Sequence, residues 1–372
     1  MTSELCGSSA TRPGHFRECA VRVTAWEVPR LAFRWIYRDR LPVGGLPVVG
    51  NHVGVPGMFQ IRRIVVGVEM PANRPWDTAK LAAPSRLAVR QAFHLANPGR
   101  IPVTLVAVLP PANAGWFGSS EDADRAAAAD YVASEAVLKD LRQQYTKVPG
   151  STQTDIAVRT GEAWEELIRS AGNRPDCLLM CGTRDQGSLR RVIFGSTGLK
   201  LLRLAPAAVW IVKPRIDDND STDIVAATDL GPVGADVLQT AVPLCKALNA
   251  KLHVIHVVDH ANTLPDAVSN AESMVHQQLA ATDHRTLPFG VKVNVVQGRA
   301  DECILKATQD CCADVVIFGT SSKTGVSGLL PGSTVERLLP ELACSVLAMK
   351  PEGFRSMLPS DFWTLHRPFQ HD

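Results

Sequence analysis

Two stretches of this chain place glycine and hydroxyl residues in an order suited to holding an anion. Gly319 follows an apolar run, and Gly332 leads into Ser333-Thr334 at the start of a helical pattern. A residue without Cβ lets backbone approach a ligand closely. The unpaired amides of a helix's first turn, its dipole and two hydroxyls then form a cradle for phosphate. Gly182 and Gly195-Ser196 repeat the arrangement earlier in the chain. No GxxxxGK[ST] string occurs, so a lysine-on-phosphate mechanism has no support. Glycine and serine at a strand-to-helix turn also act as plain caps, so the reading needs a second, independent feature.

Other reactive residue types read as structural. His253 and His256 fall on opposite faces of an extended strand and cannot both ligate one ion, and His260 follows in the next loop. Gly195-Ser196-Thr197-Gly198 is not a GxSxG nucleophile elbow. The acidic runs at Glu121-Asp122 and Asp217-Asp218 read as solvated loops, and Trp164 and Trp210 as core residues in apolar periodic positions. Nine cysteines are scattered without a CxxC pair, the pattern of reduced thiols in a cytoplasmic protein. No general base is positioned, so the chain does not read as an enzyme.

The two glycine segments are copies of each other. Gly182 and Gly319, Gly195 and Gly332, Ser196 and Ser333, and Lys213-Pro214 and Lys350-Pro351 each lie 137 residues apart, without a gap. The copies begin at the β-branched runs 61–69 and 223–229, which are offset by 160, so the first copy carries about 23 extra residues. The stretch 110–147, rich in Ala, Gly, Ser and acids, is expected to hold them as a loop and helix extension.

Apolar runs without strict alternation recur between helical patterns: 61–68, 103–109, 154–158, 177–181 and 208–213, then 223–228, 251–258, 291–297, 314–318 and 345–350. Such runs predict strands of a parallel sheet covered on both faces, and hence two tandem doubly wound α/β domains. The expected organisation is an N-terminal extension over 1–57, domains over 58–214 and 223–351, a polar linker over 215–222 and a tail over 352–372. The extension, with seven arginines and no lysine, reads as disordered, and Met58 directly before the first strand suggests a start there. The tail carries Trp363 and is expected to cover a sheet edge. The last strand of each domain would leave an open edge, and pairing of the two would make an intramolecular pseudo-dimer, a monomer or at most a weak dimer.

Composition narrows the partners. Hydrophobic residues are 45% and charged residues 20%, enough for a sizeable core. Lys+Arg 39 against Asp+Glu 37 leaves a net charge of +2, against a nucleic-acid partner, which draws a basic surplus. No apolar run approaches the ~18 residues of a spanning helix and no secretory leader is evident, so neither membrane nor export is expected.

The glycine segments resemble those of universal stress proteins, which carry G-x2-G-x9-G-[ST] between a strand and a helix, ahead of a last strand ending in a basic residue. Here Gly319-x2-Ser322-x9-Gly332-Ser333 matches with serine for the second glycine, and Gly182-x2-Asp185-x9-Gly195-Ser196 with aspartate. The two segments are similar to the halves of the E-type tandem members, over roughly Met58 to Pro351. The resemblance implies a Rossmann-like, adenine-nucleotide alpha-hydrolase-like fold and a stress-response module that binds ATP or ADP, with any Mg2+ carried on the phosphates. In the second domain it implies Thr228-Asp229 at the nucleoside, the backbone of Val257 (after His256) at the adenine edge, and Phe318, Gly319, Ser322, Gly332, Ser333 and Thr334 along ribose and phosphates. In the first domain, Glu69 replaces the aspartate, Val108 lacks a preceding histidine, and Asp185 would repel phosphate. Glu69, Val108, Gly182, Asp185, Gly195 and Ser196 therefore read as a degenerate counterpart. Any ATP turnover would be slow. The alternative is a nucleotide-free scaffold or regulator, or a binder of another small ligand in the same cleft.

Overall fold

The computed structural model describes residues 61–111, 120–147, 151–183, 195–214, 222–259, 264–320, 333–354, 356 and 358–363. The expected extension 1–57, linker residues 215–221, the tail past 363, and Asp185, Ser322 and Gly332 lie outside these residues.

The first repeat runs β1 (Arg63–Gly67), α1 (Ala83–Gly99), β2 (Val103–Leu109), α2 (Ser120–Thr146), β3 (Thr154–Thr160), α3 (Ala163–Ala171), β4 (Cys177–Gly182), α4 (Ser196–Leu204) and β5 (Ala208–Val212). The second runs β6 (Thr222–Ala227), α5 (Pro232–Leu248), β7 (Ala250–Asp259), α6 (Ala267–Ala280), β8 (Val291–Gly298), α7 (Ala300–Asp310), β9 (Val315–Gly319), α8 (Ser333–Leu338) and β10 (Ser345–Met349). Helix α5 starts with Pro232 in its first turn, where a missing N–H costs nothing. It stops at Asn249 in the left-handed region, as α1 stops at Arg100.

All ten strands form one sheet in the order β3-β2-β1-β4-β5-β10-β9-β6-β7-β8. Pairing is parallel within each repeat, and β5 meets β10 antiparallel, with Trp210 opposite Leu347. The doubly wound α/β class expected from the sequence is present twice. Alternate strand residues face opposite sides. Ile64 and Val66 join α1, α2, α5 and α6 in one core layer, and Val65 joins α3, α4, α7 and α8 in the other. Both layers run without a break through both repeats, and Trp210 is fully buried at the junction.

The extra length of the first repeat is divided, a correction to its expected single location. Register aligns Ile64 with Ile224 (offset 160), Val103 with Leu252 (offset 149) and Thr154 with Val291 (offset 137). Eleven of the extra residues therefore lie between β1 and β2, and twelve between β2 and β3. The first group holds the loop around Trp76 and a 3-10 turn, Thr78–Lys80; the second lengthens α2. The two pieces bind each other: Arg74 pairs with Asp130, and the Thr78 hydroxyl donates to Asp140 Oδ2 at 2.9 Å.

The tail also departs from expectation, covering helices rather than a strand edge. Ser356 Oγ donates to the Leu204 carbonyl at 2.6 Å and Arg169 Nε to the Phe362 carbonyl at 3.2 Å. Phe362 is buried against Trp164, with ring centroids 6.2 Å apart, beneath the Arg169 guanidinium. Just before the tail, Lys350 Nζ donates to the Leu202 carbonyl at the end of α4.

Candidate functional site

In a doubly wound sheet, ligands bind beyond the carboxyl ends of the strands, where the strand order reverses. In the second repeat β6 lies between β7 and β9, with Ala227 opposite both Ile255 and Phe318. The residues next beyond, Thr228-Asp229, His256-Val257 and Gly319-Thr320, therefore form one row at that edge. The row is braced from below. Thr228 is buried; its hydroxyl accepts from the Leu230 amide at 3.1 Å and donates to Gln278 Oε1 at 3.2 Å. Gln278 Nε2 returns to the Leu230 carbonyl at 3.0 Å. Asp229 Oδ1 accepts from the Gly231 amide at 2.9 Å, and His256 Nδ1 donates to the Thr228 carbonyl at 2.8 Å. His253 pairs with Asp223 at 2.7 Å, so both histidines have structural partners. Among the described residues no group of three or more His, Cys, Asp or Glu is placed to hold a metal ion.

The structure gives three of these residues packing or bracing roles. The Thr228 hydroxyl is spent on the loop beside the site, so it positions Asp229. The Phe318 side chain is in the core, 4% exposed, which leaves only its backbone for the edge. Gly319 is required by packing: a Cβ there would lie 2.4 Å from Val233 Cγ1 at the start of α5. Gly182 repeats this, with a Cβ 2.6 Å from the Pro84 carbonyl carbon of α1. Ser333 opens α8, Thr334 is half-buried, and Arg337 on that helix binds Asp301 of α7 at 2.7 Å. Burial alone would raise the Asp301 carboxyl, but hydrogen bonds from Arg299 and Arg337 hold it below its ordinary value.

The first repeat presents the equivalent row, and there it opens a cleft of about 380 Å³. Glu69, Val108, Gly182 and Gly195 all line it, together with Trp76 and Asp130 from the two added segments. Ser196 is exposed at the start of α4 and is not part of the lining. The Glu69 amide donates to Ser85 Oγ at 3.2 Å, which ties the tip of β1 to α1. Cys181 also lines the cleft, but burial, helped by Glu69, pushes its thiol up to about 12, so it offers no thiolate.

Sequence reasoning missed Gly234, whose Cβ would lie 2.4 Å from Thr228 Oγ1, and Gln278, Trp76 and Asp130. It also missed Thr183 and Thr320, whose amides bind the Val212 and Met349 carbonyls at 2.9 Å and pin each glycine strand to its neighbour. The last two carried a readable signal, the dipeptide Gly-Thr at the repeat offset.

The profile of the universal stress protein family matches residues 61–213 and again 221–350, most of the chain. The chain belongs to the universal stress protein family. Two copies of the domain make it a tandem member, and its similar curated relatives include several of the E type. Universal stress protein E of Escherichia coli K12 is 26% identical over 216 residues, which span 53% of this chain and 68% of that one. The Haemophilus influenzae homologue is also 26% identical, over 54% of this chain and 70% of its own. Among solved structures, a universal stress protein from Archaeoglobus fulgidus superposes with a TM-score of 0.55 at 16% identity, covering 78% of this chain and 99% of that one. These structural likenesses establish the fold. Members of the family are in general stress-response proteins rather than enzymes. No described helix is long and apolar enough to cross a membrane.

Proposed function

We propose that this chain is a stress-response regulatory module, acting in the cytoplasm, that binds ATP or ADP at the carboxyl edge of its second repeat. The observation that carries the reading is the shared row of Asp229, Val257 and Gly319. It sets a carboxylate beside the tip of β7 at the reversal point of the sheet. Asp229, held by the Gly231 amide, faces the ribose hydroxyls, and the Val257 backbone reads the adenine edge. Ser322, Gly332, Ser333 and Thr334 follow the phosphates, with Mg2+ bound to phosphate oxygens. Nucleotide occupancy would alter the surface offered to a protein partner, which is the regulatory output. Pairing of β5 with β10 uses the last strand of each repeat within one chain, so we also propose a monomeric pseudo-dimer.

Calorimetric titration of the purified chain with Mg-ATP tests the site. Asp229→Ala is expected to weaken binding by about tenfold or more, the cost of one charge-assisted hydrogen bond. An unchanged affinity in that variant, or no binding to the parent protein, would remove the nucleotide reading.

A further inference from the structure

We propose that the cleft of the first repeat is a second ligand site, built for a small organic amine with an apolar body rather than for a nucleotide. Two of its wall residues come from what distinguishes the first repeat from the second. The eleven residues added before β2 bring in Trp76, and the lengthened α2 brings in Asp130. The Arg74–Asp130 pair joins these additions across the rim, and Thr78–Asp140 locks them further along.

The chemistry of the wall selects the occupant. Among the described residues that line the cleft there is no Lys, Arg or His, whereas Glu69 and Asp130 are present. Asp130 is neutralised by Arg74, but Glu69 is exposed at the tip of β1, with no cationic side-chain partner among the described residues. A carboxylate with no cation beside it among the described residues, at the mouth of a mainly apolar cavity, repels a polyphosphate and attracts an ammonium group. Met70, Trp76, Val108 and Leu109 supply the apolar surface for the ligand body, and the Trp76 indole N–H is buried without an acceptor. At about 380 Å³ the space matches a compact small molecule.

The test uses the full chain and phenethylamine, with 2-phenylethanol as its uncharged counterpart, followed by ligand-observed NMR titration. Phenethylamine is expected to bind, with the alcohol about tenfold weaker, one charge interaction in a partly dry site. Glu69→Gln should abolish that preference and Glu69→Lys should abolish amine binding, both with unchanged melting temperature, because the side chain is exposed. Asp229→Ala should leave amine binding intact, which separates this site from the nucleotide site of the second repeat. The proposal is overturned if the amine does not bind the parent chain, if amine and alcohol bind alike, if Glu69→Gln retains the preference, or if Mg-ATP displaces the amine equally from the parent and from Asp229→Ala.

Discussion

At the residue scale, the two strand-end glycines do the same job against different neighbours, which gives a sharp prediction. Adding a Cβ at 319 meets one methyl group of Val233, whereas adding one at 182 meets the backbone of α1. Gly319→Ala should therefore destabilise the protein by about 1–3 kcal/mol, and Val233→Ala should recover part of that loss in the double variant. Gly182→Ala should cost at least as much and have no side-chain remedy. Urea unfolding of the three single variants and the double reads the coupling directly; additive values would contradict the packing role. The motif glycines were legible in the sequence, but their purpose was not. A pattern of types and spacings records that Cβ is missing, and only the position of α5 shows which atom would have struck it. The same limit applied to Thr228, whose identity was legible and whose engagement by Gln278, fifty residues away, was not.

At the element scale, the end of α4 gathers interactions from the other repeat. Lys350 supplies a donor to the Leu202 carbonyl and the tail supplies Ser356 to Leu204, satisfying carbonyls that a helix C-terminus leaves open. Lys350 retains some solvent contact as a residue, yet burial around its amino group pushes it down to about 7. Because the folded value lies below that of the unfolded chain, protonation favours unfolding. The penalty is complete below about pH 7 and fades as pH rises toward the ordinary lysine value. Lys350→Met should raise the melting temperature at pH 7, by an amount that shrinks at pH 9.5; a gain independent of pH would show that the amine does not titrate there. Phe362→Ala should lower stability by about 3–5 kcal/mol through lost burial against Trp164, and denaturant midpoints would measure it. The strands and most helices were legible because apolar runs and capping residues are local. The tail's landing place was not, since Phe362 and Trp363 show no periodicity and their partner helix is distant in sequence. The two-part insertion was hidden for a related reason, because a single offset difference gives the total added length but not its distribution.

At the scale of the whole molecule, the repeats are joined through the middle of their sheet. The outermost strands are β3 and β8, and within β3 only Val158 is buried. Because the last strand of each repeat is already paired within one chain, sedimentation should give the mass of one chain; a stable dimer would mean that an outer strand also pairs. The tandem architecture was legible from the constant offset of 137, but the antiparallel meeting of β5 with β10 was only an inference from open edges. Two uninterrupted hydrophobic layers pass across that meeting, with Trp210 at the crossing. A molecule knitted in this way has no weak seam at which one half melts ahead of the other. Differential scanning calorimetry should record one heat-absorption peak, and a fragment cut between the halves should be insoluble, because it would bare the most water-averse stretch of its own backbone.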